Sequence, residues 1–243
     1  MPEQHGLNMP PAEPIELGRV LAVFLSRMAG GYALCLALIG PSVTKGSWRD
    51  VSLFVIAGLA GLAGVAGAPW IPCAVATVGA LLVQRAIAYR LPLASTLWLA
   101  PIGLLILAWT EWPPPWSAFP GAIAAGGTLG AMLLGHSYLT ARGLSFAPFK
   151  RMAWLLFGIL VLRTLSVAPA FFASNLAMMD WVFLSLRAGL GLLVPLLLGW
   201  MVIECVRIES NQSATGILYA MTVLVCLFGE LIAVYLSLGG IPA

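Results

Sequence analysis

The sequence predicts an all-α integral membrane protein, a bundle of about eight transmembrane helices with both termini outside. Three observations carry that expectation: the scarcity of charge, the unbroken length of the apolar runs, and the sorting of basic residues by loop. Of 243 residues, 61% are hydrophobic and 9% charged, and the mean hydropathy is +1.00. A soluble domain carries about 25% charge. Twelve Lys and Arg with nine Asp and Glu are too few to solvate a particle of this size. That excludes a soluble enzyme, a nucleic-acid binder, and a disordered or fibrous chain. The net charge of +3 is divided among loops rather than gathered into a basic patch.

The apolar runs lie near 18–40, 51–68, 70–89, 92–111, 120–140, 152–172, 181–204 and 213–238. Each is close to the roughly 20 residues a helix needs to cross the hydrocarbon core. None alternates as the strands of a barrel would. Pro69 and Trp70 make a tight turn with an interfacial anchor between the second and third runs. Residues 1–17 are expected to form an outer tail, and 18–243 a single transmembrane domain. The tail is acidic and rich in proline, unlike the start of a cleaved signal peptide, so no Sec cleavage is expected.

Charge sets the orientation. One set of loops holds seven basic residues: Lys45, Arg49, Arg90, Arg142, Lys150, Arg151 and Arg207. The opposite set holds Arg19 with Glu3, Glu13, Glu16, Glu111 and Asp180. Basic loops stay in the cytoplasm, which puts both termini outside and suggests a multi-pass protein of a bacterial inner membrane.

An ionisable residue deep in a bilayer costs at least about 2.5–3.5 kcal/mol on insertion scales, so each one calls for a reason. Arg27, Arg163, Arg187 and Glu230 fall well inside runs, Arg85 nearer an end, and Glu204 and His136 close to the inner interface. Arg187 lies 17 residues before Glu204, and Glu230 lies 17 after Ser213. At about 1.5 Å per residue, both are about 25 Å from the inner face. A buried Arg187–Glu230 pair is therefore expected, either locking the last hairpin or handling protons or quinone. Neither Arg27 nor Arg163 has an obvious acidic partner within its own hairpin. They would snorkel, cap carbonyls, or meet a lipid phosphate or an anionic or quinone head group.

His136 is the one histidine within a run. A bis-His haem from this chain alone is excluded by that count, as are copper or iron clusters needing several histidines. Its remaining roles are a helix-end hydrogen bond, a single pigment or haem ligand with a foreign partner, a quinone contact, or a proton shuttle. It belongs to GHSYLTARGLSFAPFKR (135–151), and the other polar inner segment is RIESNQSATGILY (207–219). His136, Tyr138, Gln212, Thr215 and Tyr219 together suit a quinone head group under an apolar lid, or a docking surface for a partner subunit.

Gly58, Gly61, Gly64 and Gly67 recur every three residues, a spacing expected to let helices touch closely. Cys35, Cys73, Cys205 and Cys226 lie in or beside apolar runs with no CxxC spacing, and are read as packing residues. No ATP-binding, protease or zinc motif occurs, and neither a metal site nor an intrinsic cofactor is expected.

Three segments carry a family resemblance: LRAGLGLLVPLLLGW (186–200), YAMTVLVCLFGELIAVYL (219–236) with its Gly229-Glu230, and GGTLGAMLLGHSYL (126–139). Over about a third of the chain they resemble the quinol-handling membrane anchors of molybdenum reductases, of the dimethyl-sulfoxide-reductase anchor and NrfD type. The anchors' polar early loop has no counterpart in the first half. The resemblance implies a subunit that docks an iron–sulfur partner and passes electrons from the quinone pool without a cofactor of its own. The expectation is a membrane subunit of a respiratory or photosynthetic electron-transfer complex. It would contact quinone and lipid and hold other membrane and redox subunits, with no catalysis by the chain alone and no nucleic acid. The alternatives are a structural lipid- or pigment-binding accessory subunit and a small-solute transporter.

Overall fold

In the computed structural model, the described residues are 16–39, 47–69, 118–140, 145–172, 176–239 and 241, with isolated positions at 75, 78, 79 and 82. Their regular structure is entirely helical. We number the helices α1 (Leu17–Ile39), α2 (Ser47–Val65), α3 (Ala118–Thr140), α4 (Ala147–Ser166), α5 (Met178–Arg207) and α6 (Asn211–Leu238). A 3₁₀ turn, Ala168–Phe172, extends α4. Five of these are long and apolar enough to cross a membrane: α1, α3, α4 with its extension, α5 and α6. Helix α2 contributes a shorter apolar stretch, Asp50–Val65. The expected spans near 70–89 and 92–111, together with Arg85, Cys73 and residues 1–15, lie outside the described residues.

Sequence neighbours run antiparallel. Gly18 of α1 lies against Ala66 just beyond α2, and Tyr32 donates its hydroxyl to Ser52 at 2.6 Å near the other end of the pair. Likewise Tyr138 of α3 stacks on Phe149 of α4, while Gly121 of α3 faces Arg163. Helix α6 returns along α3, with Thr215 beside Gly135 and Glu230 beside Gly121. Val20 of α1 packs with Val234 of α6. These contacts place the start of α1, the end of α2 and the start of α3 at one end of the bundle.

Helix α3 is the hub, touching α1, α4 and α6, and its composition explains how. Without a hydrophobic drive between helices in lipid, association depends on close van der Waals packing. Gly31 of α1 meets the Ala122 backbone, and Gly126 meets the backbone of Met28, Gly31 and Tyr32, too closely for a Cβ at either glycine. Polar side chains add bonds across these contacts. The Tyr32 hydroxyl reaches Ser52, whose own hydroxyl donates to the Trp48 carbonyl at 2.8 Å. The Thr222 hydroxyl of α6 lies 3.1 Å from the Thr128 carbonyl of α3.

The glycine stripe of α2 behaves otherwise than its spacing suggests. A Cβ on Gly58 or Gly61 would meet open space, and Gly67 forms the turn after the helix at φ +110°. It is Ala57, Ala60 and Ala63 on the opposite face that are buried. A period of three drifts around a helix of 3.6 residues per turn, so small residues line both faces and the spacing alone does not choose between them.

Helices α5 and α6 each contain a π-helical segment, Arg187–Leu193 in α5 and Leu224–Leu231 in α6. In α5 the segment ends just ahead of Pro195, which lacks an N–H and crowds the preceding turn. A widened turn relieves that clash. The two segments pack on each other where Gly191 and Gly229 bring backbone against backbone. At the other end, α5 stops in a Schellman turn: Ser210 N–H donates to the Cys205 carbonyl at 2.8 Å, and Glu209 N–H to Val206 at 3.3 Å. Glu209 occupies the left-handed position of that turn, φ 59°, where glycine is usual.

Candidate functional site

Two groups of polar residues stand out, at different depths. The deeper one is built on α4 and α6. Glu230 lies in the π segment of α6, and Arg163 near the end of α4; both are buried. Arg163 Nε donates to Glu230 Oε1 and Nη2 to Oε2, each at 2.7 Å. That is a bidentate, charge-assisted pair, the geometry in which a guanidinium best matches a carboxylate. Nη1 reaches the Ser166 hydroxyl at 3.4 Å. Gly121 of α3 lies flat against the pair, and a Cβ there would collide with Glu230 Oε2 and come within 2.9 Å of Arg163 Nη2.

The expected Arg187–Glu230 pair is not formed. Both carboxylate oxygens are engaged by Arg163, while Nε, Nη1 and Nη2 of buried Arg187 have no hydrogen-bond partner among the described residues. Arg187 remains near enough to feel the charges of Glu230, Arg163 and Arg27. The reason for the mismatch is azimuth. Helical rise sets depth, and Arg187 and Glu230 do share one, but rise says nothing about which way a side chain faces. Arg163 lies 16 residues beyond the start of α4, about 24 Å along the axis, so it reaches the same level from another helix. Among the described residues, the buried charges are Arg27, Arg163, Arg187 and Glu230.

The second group lies toward the end of the bundle that carries Lys150, Arg151 and Arg207 in the terminal turns of α4 and α5. Tyr219 Oη and His136 Nδ1 are 3.1 Å apart across α3 and α6, and both residues are exposed on the flank of the bundle. Thr215, one turn earlier on α6, is buried, and its hydroxyl lies 3.3 Å from Asn211 Oδ1. Tyr138 points elsewhere: it is buried against Phe146 and Phe149 and bonds the Ser145 carbonyl. Gln212 is exposed in the first turn of α6. The five residues anticipated as one site thus separate into a His136–Tyr219 couple, Thr215 in the interior behind it, Tyr138 on the α4 side and Gln212 at the helix start.

Two ion pairs also lie at this end, Arg207–Glu204 at 2.6 Å and Lys150–Glu209 at 3.8 Å, of a solvent-accessible kind that contributes little. Cys35, Cys205 and Cys226 are free thiols. Among the described residues, no group of three His, Cys, Asp or Glu gathers as a metal site would. Sequence spacing had pointed to neither the Arg163–Glu230 pair nor the role of Gly121, although a glycine three residues into α3 at the level of a buried charge is a readable signal. No family model, curated protein or solved structure matches the chain.

Removing one partner of a buried pair commonly costs about 3–5 kcal/mol, while removing both is often nearly neutral. Glu230→Ala should therefore reduce the monodisperse protein recovered in mild detergent. Adding Arg163→Leu should restore most of that loss, and adding Arg187→Leu should restore no more than the same change adds to the wild type. Rescue by Arg187→Leu alone would overturn the pairing.

Proposed function

We propose that the chain is a multi-pass subunit of a membrane electron-transfer complex in a bacterial inner membrane, contacting quinone at the His136–Tyr219 couple. The observation that carries this reading is the 3.1 Å contact of two exposed side chains on the flank of an apolar bundle. Quinones dissolve in the hydrocarbon phase and reach such a flank without crossing water. An imidazole and a phenol in contact offer both a donor for a quinone carbonyl and an acceptor for a quinol hydroxyl proton. Oxidation of a quinol releases two electrons and two protons. In this reading His136 takes the two protons in turn, passing each to water on the basic, inner side, and the two electrons pass to a redox centre of a partner subunit. Other membrane and redox subunits and lipids cover the exposed apolar faces of α4 and α5.

The same reading has eight spans with both termini outside. It is supported by α2 ending and α3 beginning at one end of the bundle, which requires an even number of spans between them. A reporter fused after Ala243 should be active outside; inside activity would contradict the topology. A solute transporter is the second reading, favoured by the paired π segments of α5 and α6, since irregular helices at matched depth frame transporter sites.

Photolabelling tests the quinone contact directly. An azidoquinone added to membranes should label peptides of α3 or α6. His136→Ala should weaken that labelling about fivefold, the loss expected for one hydrogen bond to the head group. Equal labelling in the variant would remove His136 from the site.

A further inference from the structure

Arg187 presents a problem that the ion pair beside it does not solve. Its side chain is buried, and among the described residues none of its three guanidinium nitrogens has a hydrogen-bond partner. Leaving a buried charge unpaired is far more costly than burying a satisfied one, and guanidinium does not escape the cost by losing its proton. The Glu230 carboxylate is already held at both oxygens by Arg163. Its negative charge still acts on Arg187, but Arg163 and Arg27 oppose it. The local field is therefore set by several cations around one anion, and among the described residues the guanidinium's donors find no acceptor.

We propose that Arg187 is the centre of a buried anion-binding site, taking a small monovalent anion with two oxygens in one plane, of the carboxylate, nitrite or nitrate class. The guanidinium is a planar fork and pairs best with two coplanar oxygens, as Arg163 already does with Glu230. Halide would satisfy the charge but only part of the fork. A doubly charged, tetrahedral anion such as sulfate is bulkier and costs far more to strip of water in an enclosed site. The position of Arg187 at the first residue of the α5 π segment is consistent with a ligand role, since such widened turns recur at functional sites. Glu230 lies 11 residues from Tyr219 along α6, about 16 Å by helical rise. The anion site is therefore separate from the His136–Tyr219 couple, and either can fail without the other.

The test uses the full chain purified in mild detergent, titrated with sodium formate, nitrate, chloride or sulfate at constant ionic strength. Formate and nitrate should raise the melting temperature saturably, by about 5 °C at concentrations far above Kd. Chloride should do so less and sulfate not at all. Arg187→Leu, which removes the buried charge, should melt higher than the wild type without added anion and lose the response. Arg187→Lys, keeping charge but not the fork, should respond to formate and chloride alike. Equilibrium dialysis of the wild type with radiolabelled formate should give saturable binding near one per chain, displaced by nitrate. The proposal is overturned by non-saturable dialysis, by equal shifts with all four salts, or by a formate response that survives in Arg187→Leu.

Discussion

In a bundle that buries its charges away from both water and lipid head groups, a charged side chain needs a partner in the protein or in something bound to it. The Arg163–Glu230 pair meets that condition, and much of the nearby architecture follows from it. Two parallel bonds of 2.7 Å join α4 to α6, helices separated in the chain by the whole of α5. Close approach of α3 to the pair requires a residue without a side chain, which is Gly121. The approach of α5 to α6 at nearly the same level requires two more, Gly191 and Gly229. A pair of this kind adds little net stability, because desolvation offsets most of the Coulombic gain. Its effect is to make other arrangements worse, since any slip of α4 against α6 strands a charge in a medium that cannot solvate it.

Much of the fold was legible because the bilayer is a severe solvent. Backbone polar groups must be satisfied within each span, so apolar length translates directly into helix. The runs ending near residues 40, 140, 172, 204 and 238 accordingly fall on helices α1, α3, α4, α5 and α6. Azimuth was less legible. Arg187 and Glu230 were correctly placed at a common depth, yet the partner of Glu230 comes from α4. The π segments make this harder, because an extra residue in a turn rotates everything beyond it by roughly 100° relative to an uninterrupted helix. Extrapolating a face from Ser213 to Glu230, across the segment Leu224–Leu231, therefore fails even though the rise is nearly right.

The polar residues at the basic end show the same limit. His136 and Tyr219 meet across helices, whereas Tyr138, two residues from His136, turns into the α4 interface and stacks on Phe149. Residues two apart on a helix face nearly opposite directions, so a cluster read along the chain divides once it is wound. The outcome is a bundle with chemistry at two levels: a His–Tyr couple open to the flank near the basic end, and an enclosed group of charges toward the other. Thr222, bonded to the Thr128 carbonyl at 3.1 Å, and Cys226, against Ala125, lie on α6 between them. The two levels thus share α3 and α6 as a common frame, and a shift of one helix along the other would be felt at both.

The enclosed pair is the point on which this arrangement rests, and magic-angle-spinning NMR in bilayers reads it without relying on yield or activity. With guanidinium nitrogen labelled in arginine and carboxyl carbon labelled in glutamate, a dipolar coupling reports each contacting pair. The exposed Arg207–Glu204 contact is removed by subtracting the spectrum of Glu230→Gln. A strong residual coupling that disappears in Arg163→Lys and persists in Arg187→Leu is the result expected of the bidentate pair. A residual coupling that persists in Arg163→Lys and disappears in Arg187→Leu would contradict it.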